Sequence, residues 1–451
     1  MSKLRLAIVG AGPAGIYAAD LLIKSELRDF DVSIDLFDLL PAPYGLVRYG
    51  VAPDHPRIKG IMNALFEVLD RGDIRFFGNV EYGKDLTLED LKQHYNAVIF
   101  ATGAIKDADL DIAGIQLDGS YGAADFVNWY DAHPDVPRTW PLNAKEIAVI
   151  GNGNVALDVA RMLIKVPEQL LSTDIPHYVY EALKDSPVTD VHVFGRRGPA
   201  QVKFTPLELR EATALEGVDT IVHDEDFQYD EGSEQAIESN NQTRVMVKTL
   251  EGLRSKPQTG AARRLHLHFF SQPTEVLGED GKVVAFKIER TKLDGTGQVV
   301  PTGEFRQFDV QAVYRAVGYF GSALPEVPFT PRTGVIPNQG GRVLSVEGKQ
   351  IEGVYATGWI KRGPIGLIGH TKSDALETVA NLIADRDTWW QPASPDESTV
   401  VQLLESRSVA YVTWHDWLKV DAEELRLGAA EGRERIKLFD RDDYKRIVGR
   451  G

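Results

Sequence analysis

Apolar positions along the chain fall into short blocks that end at glycine turns. Leu4 to Val9 is a mainly apolar run, too short for a stable helix, and reads as a buried parallel strand. Gly10-Ala11-Gly12-Pro13-Ala14-Gly15 follows at once, and Ile16 to Lys24 has helical character. A second strand is predicted over Val32 to Phe37, ending at Asp38, and a third over Ala97 to Ala101, where a small-residue turn marks a crossing between domains. The same order then recurs. Glu146 to Ile150 reads as a strand, Gly151-Asn152-Gly153-Asn154-Val155-Ala156 as a turn, Leu157 to Ile164 as a helix and Asp190 to Phe194 as the next strand. Lys165 to Thr189 is a longer, proline-bearing helical insertion. From about Leu265 to Ala316 apolar and polar residues alternate, as in Leu265-His266-Leu267-His268, which predicts antiparallel strands returning the chain to its first domain. Asp224 to Glu238 reads as an acidic loop and Asp385 to Pro395 as a linker. Val400 to Gly451 is charged and mostly helical, with Trp414-His415-Asp416-Trp417 packing a helix.

Strand, glycine turn and helix in that order give each G-x-G-x-x-G/A segment its meaning. Gly10 permits the tight turn, Gly12 lets backbone approach a pyrophosphate, and Gly15 lets helix pack on strand. The helix start then points free N–H groups at phosphate. Pro13 and Ala14 lie at that start. Asp38, at the tip of the second strand, is placed to accept hydrogen bonds from ribose hydroxyls and would repel a 2′-phosphate. The first module therefore suits FAD or NAD. In the second module Ala156 replaces the third glycine, and the strand tip carries Gly195-Arg196-Arg197-Gly198 with no acid. Arginine forks match phosphate, so this module suits NADP.

Composition narrows the chemistry further. Cysteine is absent, which excludes dithiol redox chemistry and thiolate-held iron–sulfur or zinc centres within the chain. A formal net charge of −16 disfavours nucleic acid as a partner. No stretch approaches the ~18 apolar residues of a membrane span. The start, Met1-Ser2-Lys3, runs into an apolar stretch too short for a secretory core, so a cytoplasmic location and no membrane insertion are expected. No catalytic triad or metal-ligand spacing stands out, and no metal is expected.

Several stretches together resemble the adrenodoxin-reductase-like ferredoxin–NADP⁺ reductases, including bacterial members. They are Pro41 to Pro56 (PAPYGLVRYGVAPDHP), Gly151 to Arg161 (GNGNVALDVAR), Gly195 to Thr205 (GRRGPAQVKFT) with Leu207 to Glu211 behind it, and Gly358 to Gly369 (GWIKRGPIGLIG). The resemblance runs from Gly10 to about Ile383. It implies an α/β protein with two Rossmann-like three-layer dinucleotide-binding domains, the NADP domain inserted in the FAD domain. The FAD domain would comprise residues 1–106 and 325–451, with a C-terminal helical extension from about 385. Residues 107–324 would bind NADP.

For single residues, the resemblance implies that Ala14, Asp38, Leu46 and Val80 line the FAD, with Gly45 beside Leu46. Trp359, Gly366, Leu367 and Ile368 would cover the flavin end, and Gly366 would also reach the nicotinamide. Asn152, Gly153, Asn154, Val155, Arg196, Arg197 and Glu208 would hold NADP. His55 and Glu211 are the candidate catalytic residues. Arg210, Arg263 and Arg264 match the basic region for partner docking, while Lys361 and Arg362 belong nearer the flavin. Asp38 stands where glutamate is more usual, which changes reach rather than cofactor.

The activity implied is that of an FAD-dependent ferredoxin–NADP⁺ oxidoreductase. Hydride passes between NADP(H) and FAD, and single electrons pass to or from a ferredoxin, with the enzyme a monomer by default. The cofactors carry this chemistry, and the protein supplies position and electrostatics. Two other readings stay open: an NADPH-dependent flavin monooxygenase, and a flavoprotein electron-input subunit of a larger complex.

Overall fold

The computed structural model describes residues 3–364 and 368–449. It divides into two compact units, one of residues 1–106, 131–135 and 319–451, the other of residues 107–130 and 136–318. Among the described residues, no helix is long and apolar enough to cross a membrane.

The first unit is built on an eight-stranded sheet. Its parallel core runs Gln350–Ala356, Ala97–Phe100, Lys3–Val9, Asp31–Phe37, Ile74–Gly78. Antiparallel strands Arg342–Leu344 and Asn338–Gln339 extend one edge, and Val412–Thr413 covers the other. Residues alternate between faces along each strand, and two cores result. Leu4, Leu6, Ile8, Ile34 and Leu36 pack with Ala14, Ile16 and Ala18 of the helix Pro13–Lys24. Ala7, Val9, Phe37 and Phe100 face the opposite core, with Leu88, Leu91, Val400 and Leu404.

Asp35 is fully buried on that second face. It accepts hydrogen bonds from Arg5 Nη2 at 2.7 Å, Arg75 Nε at 2.7 Å and Tyr95 Oη at 2.6 Å, so its charge is paired and its lone pairs are used. The segment after residue 385 is therefore more than a tail. Glu397 accepts from Ser33 Oγ at 2.6 Å and pairs with Lys3 at 3.0 Å, pinning the helix Glu397–Ser406 to the sheet. Thr413 and Asp416 cap the helix Trp414–Ala430 reciprocally. That helix presents Glu424 to buried Arg48, whose Nη1 lies 3.0 Å from Glu424 Oε2.

The second unit carries a six-stranded, all-parallel sheet: Ser120–Gly122, Ala312–Arg315, Glu146–Ile150, Asp190–Phe194, Arg263–His268, Val218–Val222. The helix Asn154–Ile164 packs against this sheet. The opposite face meets a three-stranded antiparallel meander, Ser271–Glu279, Lys282–Leu293 and Val299–Phe308, through Val276, Val283, Phe286 and Ile288 against Ala148, Ile150, Phe194 and Val313. This corrects the expected role of the alternating region. Arg263–His268 is a parallel strand inside the second sheet, and the meander is that unit's third layer rather than a return to the first unit. Strict alternation marks one covered face, but it does not tell which sheet supplies the cover. The acidic segment is also structured. Glu231–Ser239 is a helix, and buried Asp226 pairs with Arg290 at 2.7 Å.

The Arg48–Glu424 pair gives a stability prediction. Glu424 also accepts from Arg435 Nη1 at 3.1 Å and from the Leu438 N–H at 2.8 Å. Glu424→Leu should lower unfolding free energy by about 3–5 kcal/mol, the usual cost of orphaning a buried charge, measured by urea denaturation.

Candidate functional site

In the first unit the chain turns at Gly10 with φ +113°, and a Cβ there would lie 2.4 Å from Ala101 O. Neighbouring backbone bonds lock the strand tips together: Gly10 N–H to Phe37 O at 2.7 Å and Ala101 N–H to Val9 O at 2.7 Å. Gly15 is equally constrained, since its Cβ would lie 2.0 Å from Gly10 O. Gly12 is different. A Cβ there would meet nothing nearer than Gly45 Cα at 3.8 Å, so the fold itself tolerates a side chain. The bare position lies at the N-cap of the helix Pro13–Lys24, which no side chain caps. An open cradle before unsatisfied N–H groups suits a pyrophosphate.

The other first-unit candidates gather around this turn. Asp38 Oδ2 accepts the Ala11 N–H at 2.6 Å and Oδ1 accepts the Leu40 N–H at 2.8 Å. Loss of hydration pushes the Asp38 carboxyl up to about 6, against the pull of those two donors. Val80 N–H donates to Asp38 O at 2.8 Å, and Tyr44 N–H to Ala11 O at 2.8 Å, which brings Gly45 and Leu46 alongside. Gly358, at φ +73°, comes so close that a Cβ would lie 2.5 Å from Ala14 Cβ. Trp359 therefore starts its short helix beside the glycine helix. Gly366 and Leu367 lie outside the described residues, as does the side chain of Ile368.

The second unit repeats the arrangement bond for bond. Gly151 has φ +141°, and a Cβ would lie 2.3 Å from Ala316 O. Gly151 N–H donates to Phe194 O at 3.0 Å and Ala316 N–H to Ile150 O at 2.8 Å. Gly153 is again an uncapped N-cap, and a Cβ there would meet nothing within 4 Å. Asn152 O accepts the Lys203 N–H at 2.9 Å and Asn154 Oδ1 accepts the Thr205 N–H at 2.9 Å. Thr205 Oγ1 in turn caps the helix Pro206–Thr213, which carries buried Glu208, half-buried Glu211 and exposed Arg210. Val155 follows Asn154 in the glycine helix.

The two units part at the next strand tip. Where the first has Asp38, the second has Gly195, followed by Arg196 and Arg197 in a turn held by its backbone. Thr291 Oγ1 donates to Arg196 O at 2.8 Å, and the Phe270 N–H to Arg197 O at 3.1 Å. Arg196 is exposed. Arg197 is half-buried, and its Nε is buried with no hydrogen-bond acceptor among the described residues. A buried guanidinium N–H without an acceptor fits an anionic ligand.

The expected docking pair sits elsewhere. Arg264 grips Asp190 with both nitrogens at 2.6 Å, and Arg263 Nη1 donates to the carbonyls of Ile164 and Lys165 at 3.1 and 2.5 Å. Both residues begin their strand, at the end away from the glycine turns, so their guanidinia are engaged within the fold. His55 is buried in the first unit, and its carbonyl accepts the N–H groups of Ile58 and Lys59. Lys361 is also buried, with Nζ 3.0 Å from Asp374 Oδ1 and 2.6 Å from Glu377 Oε2.

Residues 4–249 match the family described as pyridine nucleotide-disulphide oxidoreductase. Over its whole length the chain is similar to the NADPH-ferredoxin reductase FprA of Mycobacterium tuberculosis, 40% identical over 462 residues that cover 99% of each chain. The mitochondrial NADPH:adrenodoxin oxidoreductase of Bos taurus is 37% identical over 463 residues, 99% of this chain and 92% of that one. The chain belongs to this family of NADPH-ferredoxin and adrenodoxin reductases. The fold agrees. The solved structure of Mycobacterium tuberculosis FprA in complex with NADPH superposes with a TM-score of 0.91 at 38% identity, covering 99% of this chain and 100% of that one. The disulphide in the broader family description has no counterpart here, because the chain has no cysteine.

Asp374 is the positioning residue that sequence reading missed. Its Oδ2 accepts the Gly358 N–H at 2.5 Å and the Thr357 hydroxyl at 3.2 Å, which fixes the turn leading into Trp359. No local pattern marks it, since the contact forms only when the helix Ile368–Ala384 returns beside its strand.

The glycines separate fold from site. Gly10→Ala should cost about 3 kcal/mol or more from backbone strain and overpacking. Gly12→Ala should leave the unfolding midpoint of the ligand-free protein near that of the parent. Urea denaturation of both apoproteins checks the contrast.

Proposed function

We propose that this chain is an FAD-dependent ferredoxin–NADP⁺ oxidoreductase, with FAD on the first unit and NADP(H) on the second. The observation that carries the reading is the strand-tip contrast. Two scaffolds with matching backbone bonds end in a carboxylate at Asp38 in one and in Arg196-Arg197 in the other. A carboxylate takes the two hydroxyls of an unphosphorylated ribose and repels a 2′-phosphate, while a guanidinium pair does the reverse. The names of the relatives, NADPH-ferredoxin reductase and NADPH:adrenodoxin oxidoreductase, support the same assignment. When bound, the flavin supplies the ability to accept a hydride from NADPH and to pass its electrons singly to an iron–sulfur protein.

The chain's own part is binding and orientation. Gly10, Gly12, Pro13, Ala14 and Gly15 seat the flavin pyrophosphate, with Asp38 and Val80 at the ribose and Gly45, Leu46 and Trp359 along the flavin. Gly366, Leu367 and Ile368 complete this set, and Gly366 also serves the nicotinamide. Asn152, Gly153, Asn154 and Val155 seat the NADP pyrophosphate, with Arg196 and Arg197 at the 2′-phosphate and Glu208 beyond them. His55 and Glu211 act by placing groups rather than as nucleophiles. Arg210 is the exposed member of the docking set and makes the first contact with an acidic ferredoxin. Arg263 and Arg264 belong to the same proposed region, although their engagement within the fold weakens their share. A cytoplasmic location belongs to this reading, because NADPH is held inside cells.

Anaerobic titration of the yellow protein tests the assignment. NADPH should bleach the flavin, NADH should do so poorly, and added ferredoxin should restore the colour. Arg197→Ala should raise the apparent NADPH constant about 10- to 100-fold, the worth of one charge-assisted contact, and leave NADH unchanged. Equal response to both coenzymes would sink the proposal.

Asp38 adds a pH dependence. The apoprotein carboxyl, at about 6, must be ionised to accept the ribose hydroxyls. FAD binding therefore releases a proton below pH 6, and affinity should fall about tenfold per pH unit there while staying level above pH 7. Flavin fluorescence quenching on reconstitution at pH 5, 6 and 7 measures this. Asp38→Asn should abolish the slope.

A further inference from the structure

With FAD assigned to the first unit, as proposed above, we infer that Glu424 of the C-terminal helix Trp414–Ala430 is a positioning residue for that cofactor. It acts through Arg48 on the segment that carries Gly45 and Leu46. All of these groups belong to the first unit.

The segment has two sides. In front it meets the glycine turn. Tyr44 N–H donates to Ala11 O at 2.8 Å, and Gly45 Cα is the atom nearest to a Cβ built on Gly12, at 3.8 Å. Gly45 is therefore the wall of the cradle opposite Gly12. From Tyr44 to Tyr49 only Gly45 and Leu46 keep exposed surface, while Tyr44, Val47, Arg48 and Tyr49 are buried. The open side of the segment is thus confined to the two residues placed along the flavin.

The segment cannot hold this position by itself. Its helix, Leu46–Tyr49, is a single turn of four residues, and isolated helices shorter than about 12–15 residues are marginal in water. What fixes it lies behind, and it comes from the C-terminal extension. Arg48 Nη1 lies 3.0 Å from Glu424 Oε2 and Arg48 Nη2 donates to Glu424 Oε1, so the pair is bidentate. Arg48 Nη2 is also 3.3 Å from Tyr444 Oη, and the guanidinium carbon lies 4.9 Å from the Trp417 ring centroid. Lys437 Nζ donates to the Arg48 carbonyl at 2.7 Å. Stability alone does not account for these residue types, because a fully buried ion pair gains little over apolar side chains of similar volume. What two parallel hydrogen bonds add is direction. They fix the place of Arg48 and, two residues earlier in the same turn, of Leu46. A binding surface whose lining is locked from behind in this way is preorganised for its ligand. The coupling is reciprocal, so FAD seated against Gly45 and Leu46 also steadies the two C-terminal helices.

The test uses the full-length apoprotein reconstituted with FAD. Glu424→Gln keeps the size of the side chain and removes its charge. It should raise the FAD dissociation constant, read by flavin fluorescence quenching, at least about tenfold. NADP⁺ binding, which falls to the second unit, should stay at the parent value. Leu404→Ala controls for lost stability alone: it opens a cavity in the opposite core and should lower Tm while leaving the FAD constant unchanged. The proposal is overturned if Glu424→Gln lowers Tm but binds FAD like the parent, if it loses NADP⁺ binding in step, or if Leu404→Ala weakens FAD equally. Should Glu424→Gln not fold, hydrogen exchange of the parent protein decides. FAD should slow amide exchange across Trp414–Ala430 and Arg441–Val448 by a larger factor than across Glu397–Ser406, and equal factors overturn the proposal. A parent protein that takes up no FAD at all overturns the cofactor assignment itself, and the role of Glu424 with it.

Discussion

The contact on which both halves of this protein depend is a glycine α-carbon set against a carbonyl oxygen. Gly10 lies under Ala101 O and Gly151 under Ala316 O, each so close that a Cβ would fall 2.3–2.4 Å from the oxygen. No side chain fits there, and the positive φ values exclude most residues independently. The contact lets the chain leave the strand and enter the helix within a few residues. The helix start then lies directly above the sheet, with its free N–H groups facing the crevice at the strand ends. Moving the turn outward by the width of a methyl group would aim those donors elsewhere.

With the turn constrained in this way, chemistry is assigned by the residues just past the neighbouring strand. Phe37 and Phe194 occupy equivalent places, since each carbonyl accepts the N–H of the turn glycine. The next residue is Asp38 in one case and Gly195 in the other. Asp38 folds back to take two backbone N–H groups, which shortens its reach and ties the ribose site to the turn itself. Gly195 offers no side chain there, Asn152 packs where its Cβ would be, 3.1 Å away, and the position passes to Arg196 and Arg197. One backbone therefore serves two nucleotides, and the selectivity resides in side-chain charge.

These features were legible in the sequence because they are local. A glycine that needs positive φ and a helix start without a cap are written within a few residues, and an acid or arginine pair is written directly after its own strand. What was not legible depends on long-range return of the chain. The alternation of Leu265 to Phe270 announced a strand with two unlike faces, yet gave no sign that it would be parallel, or that the meander after it would cover its own sheet. Arg263 and Arg264 looked like surface charge because Asp190, which engages Arg264, lies seventy-four residues earlier. Asp374 was silent for the same reason. The pattern His266-x-His268 was visible, but its partner His192 was not, since only strand register brings the two together.

Equivalent positions in the two sheets bear on those histidines. Aligned on Phe37 and Phe194, Asp35 corresponds to His192 and Arg75 to His266, and both pairs are register partners. In the first unit this lattice is closed. Asp35 is saturated by Arg5, Arg75 and Tyr95, and the buried charge is neutralised by groups already present. In the second unit the same lattice is occupied by imidazoles: His192 stacks on His266 with ring centroids 4.2 Å apart, and its Nδ1 lies 3.0 Å from His268 Nε2. The first lattice thus holds its strands together by buried charge pairing, and the second does so by stacked and hydrogen-bonded rings.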